Sequence, residues 1–70
     1  MLGEADAMVV EVTRFDVHGV GYADVTVAYR DRSTATARLG GESVPDDLTA
    51  GEQVVVRIAA NMIVAIERPA

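Results

Sequence analysis

The chain has no cysteine and no tryptophan among its 70 residues. Without thiols there is neither a disulfide nor a thiolate zinc site to brace so small a fold. A single histidine, His18, leaves no set of imidazoles at zinc spacing, and with only Asp16 and Asp24 nearby it reads as a solvent-facing loop residue; no metal is expected. Basic residues are scarce, six against eleven acids, for a net charge of −5. That balance repels phosphate backbones and anionic membrane surfaces, whose binding depends on Lys and Arg releasing counterions. Only Phe15, Tyr22 and Tyr29 are aromatic, and the arginines sit beside acids, Arg30 and Arg32 flanking Asp31 and Arg68 following Glu67. A stacking groove for single-stranded nucleic acid needs a basic stripe with aromatics along it, so no nucleic-acid partner is expected. No apolar run approaches the ~18 residues of a membrane span. The opening MLGEADA carries two acids and lacks a basic n-region and an apolar h-region, so residues 1–7 read as a frayed tail rather than a signal peptide. A cytoplasmic protein with no direct membrane insertion is the default expectation.

Chemistry-bearing motifs are equally thin. GVGYA has the first two glycines of a phosphate-cradling loop but not the third, and no helix follows to present its N-terminus; Gly19 and Gly21 read as a bend or bulge. Asp46 and Asp47 follow Pro45 and read as caps of one helical turn through Asp46–Leu48. Ser33, Ser43 and the threonines have no base placed for them by any recognisable motif. No catalytic residue and no cofactor are expected, and the protein is read as a non-enzyme.

What the sequence does contain is period-two alternation. In VGYADVTVAYR, Ala23, Val25, Val27 and Tyr29 alternate with Tyr22, Asp24, Thr26 and Ala28, the pattern of a half-buried strand. A turn at Asp31–Arg32 leads to STATARL, where Ala35, Ala37 and Leu39 take the inner positions. Upstream, AMVVEVTRF is a strand with Met8, Val10 and Val12 on one face and Val9 on the other. GGESVPDDLTAGE is the single long connection, with Val44 and Leu48 as plugs for one end of a barrel. A last hairpin turns near Ala60–Asn61, where Asn tolerates a left-handed backbone. Its core set is Val54, Val56, Ile58, Met62, Val64 and Ile66. Five short strands, two hairpins and one loop with a helical turn predict an all-β fold, a small five-stranded OB/SH3-like barrel spanning residues 8–68 as one domain.

The stretch TATARLGGESVPDDLTAGEQVVVRIAANMIVAIE resembles the TOBE domains of molbindins and transporter ATPases. The matching elements are Thr36–Ala37, Ser43–Val44, Leu48, Gly51 with Val54, and Ala60 ahead of MIVA; upstream, YADVTV is similar to the preceding strand. The resemblance covers roughly Met8 to Glu67. It implies a small oxyanion or other small ligand held at a subunit interface, here through Ser43, Ala60 and Asn61. Oxyanion-binding members place a lysine before the alanine that matches Ala60, whereas this chain has Ala59 there. A second similarity, carried by AGEQVVV and NMIVAIERP, is to the soluble barrel of NfeD-type proteins, and it implies docking to a larger protein complex.

The last hairpin raises the question of partners. With one face of each strand filling the core, Val55, Ile63 and Ala65 remain on the other face, joined by Val9 and Phe15. A contiguous apolar cluster of this kind marks an interface. At 70 residues, burial and chain entropy nearly cancel, so association is the remaining source of stability. The expectation is a homo-oligomer, a dimer or larger, acting through protein contacts.

Overall fold

The sequence alternation builds five antiparallel strands, which the computed structural model describes over residues 2–70. They are β1 (Leu2–Val17), β2 (Val20–Tyr29), β3 (Thr34–Gly40), β4 (Gln53–Ala59) and β5 (Met62–Glu67), with one 3-10 turn at Gly41–Ser43. The sheet order is β3-β2-β1-β4-β5. The 16-residue β1 is shared by two partners: its first half pairs with β4, from Leu2↔Ala59 to Met8↔Gln53, and the stretch from Ala7 onward pairs with β2. A strand that serves both halves must bend between them, and the sheet curls into a half-barrel.

The turns follow local chemistry. His18 and Gly19 form a two-residue turn between Val17 and Val20, both with positive φ, as a tight hairpin requires. Arg32 takes φ 72° after Asp31, whose carboxylate accepts bonds from the Ser33 N–H and hydroxyl. Ala60 and Asn61 turn β4 into β5 with φ 50° and 65°.

Valine dominates the core. Val9, Val25, Val27, Val54 and Val56 are its largest fully buried side chains, and among the described residues no polar or charged side chain is buried. Stiff β-branched side chains suit a pleated surface packed on one face. Val44 and Leu48, from the long connection, are buried in the same cluster. The connection is pinned where Gly51 N donates to Val9 O and Val9 N donates to Glu52 O.

Four expectations need correction. Leu2–Ala7, read as tail, is strand, because β4 supplies a ladder for it and Ala7 contributes to the core. Val9, placed outside, is in the core, while Met8 and Val10, placed inside, are exposed. The cause is a β-bulge: Val9 pairs with Val27 and Glu11 with Thr26, so Val10 is an extra residue. One extra residue makes inner positions three apart instead of two, and Val12 accordingly packs on the core with Val9. The same device acts in β5. Arg57 pairs with Ala65 and Ile58 with Ile63, leaving Val64 unpaired. Ile63 therefore faces inward with Ile66, while Met62 and Val64 are exposed. Finally, the helical turn lies at Gly41–Ser43. Val44 before the proline is extended (φ −133°, ψ 135°), as a pre-proline residue prefers, and Asp46–Asp47 form a plain turn.

Candidate functional site

Opposite residues of an antiparallel ladder share a face, so the register sorts the outer surface directly. On β1, β4 and β5, Leu2 lies opposite Ala59, and Ala59 opposite Met62. This row sits at one end of the outer face. Leu2 is 85% exposed, Met62 67%, and the bulged Val64 46%. Farther along, Arg57 is held between Glu4 at 3.4 Å and Glu67 at 3.3 Å, which closes the apolar row with a charged cluster.

The five residues expected to form an interaction surface do not share one. Val9 belongs to the core. Ile63 packs against the core, facing Ile58. Val55 and Ala65 do lie on the outer face, half-buried, beside Asp6, Glu67 and Arg57. Phe15 is on the outer face at the far end of β1, stacked on Tyr22 with ring centroids 5.7 Å apart. The Arg38 guanidinium lies 4.8 Å over the Phe15 ring and donates two bonds, at 2.8 and 3.0 Å, to Asp24. That fork holds the Asp24 carboxyl below its ordinary range and raises Arg38, so the aromatic pair is capped by an already satisfied charge.

Between β3 and β5, the two ends of the sheet, the half-barrel stays open. Among the described residues no ladder joins them, and a cavity of about 470 Å³ occupies the gap, lined by Tyr29, Ala35, Ala37, Ile58 and Ile63, with Thr36, Arg38, Asn61 and Met62 around them. The β3 side is a free edge. Tyr29 N donates to Ser33 O, so the alternation of the ladder turns the backbone groups of Ala35 and Ala37 toward β2 and those of Thr34, Thr36 and Arg38 toward the opening. Small alanines on the inner side of β3 are what leave the slot its depth. Comparisons with protein-family models, with curated proteins and with solved structures find no match.

The three residues expected to hold a ligand are not gathered within one copy. Ser43 borders the C-terminal end of β5, beside Ala65, Ile66 and Glu67. Ala60 and Asn61 form the turn before Met62, so the whole length of β5 separates them from Ser43. His18 lies exposed in the first hairpin turn, and no group of three or more His, Cys, Asp or Glu side chains among the described residues is placed to hold a metal ion. No helix among those residues is long and apolar enough to cross a membrane.

One electrostatic feature fixes the frame around these surfaces. Glu52 accepts bonds from Arg68 Nε at 2.9 Å and from Thr49 N at 2.7 Å, tying the end of the long loop to the residue after β5. The Arg68 bond, then the Thr49 amide, lowers the Glu52 pKa from 4.5 to about 2. A carboxylate whose pKa is depressed on folding contributes stability above its unfolded pKa and loses it as pH falls through the folded one. The melting temperature of Glu52→Gln should thus lie below that of the parent at pH 7, and the gap should close between about pH 4.5 and about pH 2. Thermal melts of both proteins across that range at low salt check it, because salt screens so exposed a pair. A gap independent of pH would show that the carboxylate charge contributes nothing.

Proposed function

We propose that this chain is a non-catalytic OB-type barrel module that works through protein–protein contacts, by self-association and by docking to a larger complex. The connectivity supports the barrel type: β1 pairs with both β2 and β4, and the barrel is left partly open between its end strands. The observation that carries the function is the exposure of Leu2 and Met62 on either side of Ala59 at one end of the outer face, with the exposed, bulged Val64 two residues farther along β5. Such side chains exposed singly need no explanation, but a gathered row beside an open sheet edge is the usual mark of an interface. Association also stabilises a small domain by mass action. Light scattering over a concentration series should show a dimer or larger at ~100 µM, since a modest interface gives micromolar dissociation constants. A mass of 7.4 kDa at every concentration would remove self-association.

A second reading, a TOBE-like site for a small oxyanion between subunits, draws on one observation. Ser43 and the Ala60–Asn61 turn lie at opposite ends of β5, so only neighbouring copies can bring them together. With Ala59 at the position of the family's lysine, backbone N–H groups would be the main donors. Molybdate or sulfate at 100 times its dissociation constant would raise stability by about 2.7 kcal/mol. The protein-contact reading expects no shift in the melting temperature.

A further inference from the structure

We propose that two copies associate about a two-fold axis in which Met62 of each copy enters the slot between β3 and β5 of the other; this inference rests on the self-association reading above. Met62 stands opposite Ala59 on the outer face, while its neighbour Ile63 takes the inward place opposite Ile58. Met62 therefore borders the slot without filling it and remains two-thirds exposed. Its long thioether side chain is suited to an irregular apolar gap. The cavity of about 470 Å³, floored by Ala35 and Ala37 and walled by Ile58 and Ile63, has room for such a side chain. A patch that carries a protruding apolar group next to an apolar hollow is complementary to itself, and self-complementarity is what an isologous two-fold contact requires.

Charge selects the same surface. Two copies at −5 each repel, yet none of the acids lines the slot. The single charge there, Arg38, is already matched by Asp24. Thr34, Thr36 and Arg38 add free backbone groups along the rim that a second chain can meet. A standard interface takes ~800 Å² from each partner, a sixth of the 4765 Å² exposed by this chain. An interface confined to the slot and the row Leu2–Met62–Val64 is expected to give a dissociation constant in the micromolar range.

The chain has no cysteine, which allows a clean crosslinking test. Met62→Cys and Ala37→Cys proteins, prepared separately and mixed under mild oxidation, should give a mixed 62–37 disulfide heterodimer, identified by mass. Glu11→Cys mixed with Ala37→Cys should not. In parallel, Met62→Asp and Met62→Ser should raise the dimer dissociation constant at least about tenfold with an unchanged circular dichroism spectrum, because Met62 holds no core position. A dimer that persists in Met62→Asp with no 62–37 crosslink overturns this mode of association and leaves self-association standing. A parent protein that stays monomeric up to ~1 mM, beyond the range of a functional weak dimer, overturns both.

Discussion

Val9→Asp should abolish folding, while Met8→Asp and Val10→Asp should each leave a cooperative unfolding transition within about 1 kcal/mol of the parent. Val9 is 1% exposed, at the centre of the valine core, whereas Met8 and Val10 are 41% and 47% exposed on the outer face. An unpaired carboxylate at Val9 would meet Val27 opposite it and no basic partner. A carboxylate in such a place costs several kcal/mol even when it takes up a proton, and the valine's own burial, about 1.5–3 kcal/mol, is lost with it. A domain of this size holds only about 0.05–0.15 kcal/mol per residue in total. Circular dichroism and urea titration of the three variants decide the matter. If Val9→Asp unfolds cooperatively near the parent midpoint while Val10→Asp does not, the bulge is on the wrong residue and the strand faces are inverted.

That comparison also marks where sequence reading succeeds and stops. In β2 and β3 the ladder is regular from Tyr22↔Gly40 to Ala28↔Thr34, and strict alternation assigns the faces correctly: Ala23, Val25 and Val27 are wholly buried, and Leu39 nearly so. Val44 and Leu48 were legible as plugs because they are the large apolar residues in a polar loop. In β1 and β5 the same rule fails at one residue each. Valine occupies both bulges, Val10 and Val64, and valine is ordinary strand chemistry. Of the two glycines read as a bend or bulge, Gly19 supplies the bend of the first hairpin turn, whereas Gly21 pairs regularly with Asp16. What sets the bulges is tertiary: β1 must pair with β4 and β2 at once, which requires a local bend. The frayed-tail reading failed for a related reason, since the partner of Leu2–Ala7 lies some fifty residues away and no local signal announces it. The bulge at Val64 also leaves that valine exposed beside Met62, whereas the slot comes from the unpaired edges of β3 and β5. The turn at Ala60–Asn61 was legible, but the register it sets, Ala59 opposite Met62 and Ile58 opposite Ile63, was not. Alternation grouped Met62 with Ile58 in the core, whereas opposite residues share a face.

Ile63→Asp is expected to unfold the protein rather than dissociate an assembly, and this separates the core from the contact surface. Read by alternation, Ile63 sits on the outer face and its charge would only split an oligomer. With Val64 as the extra residue, Ile63 instead packs against the buried cluster, facing Ile58 across the ladder. A charge there loses the apolar contacts and gains no partner, a cost of several kcal/mol, comparable to the whole stability of so small a domain. Val64→Asp, by contrast, places its carboxylate on the exposed edge strand beside Arg57 and should keep the fold while weakening association. The two outcomes differ in a way concentration exposes. A dissociating variant keeps its strand spectrum at ~1 µM and at ~100 µM and changes only in mass, whereas an unfolded one loses the spectrum at both, because dilution acts on assembly and not on a folding equilibrium within one chain. If Ile63→Asp keeps a folded spectrum and is a monomer where the parent is a dimer, then Ile63 belongs to the interface and the bulge at Val64 does not exist in solution.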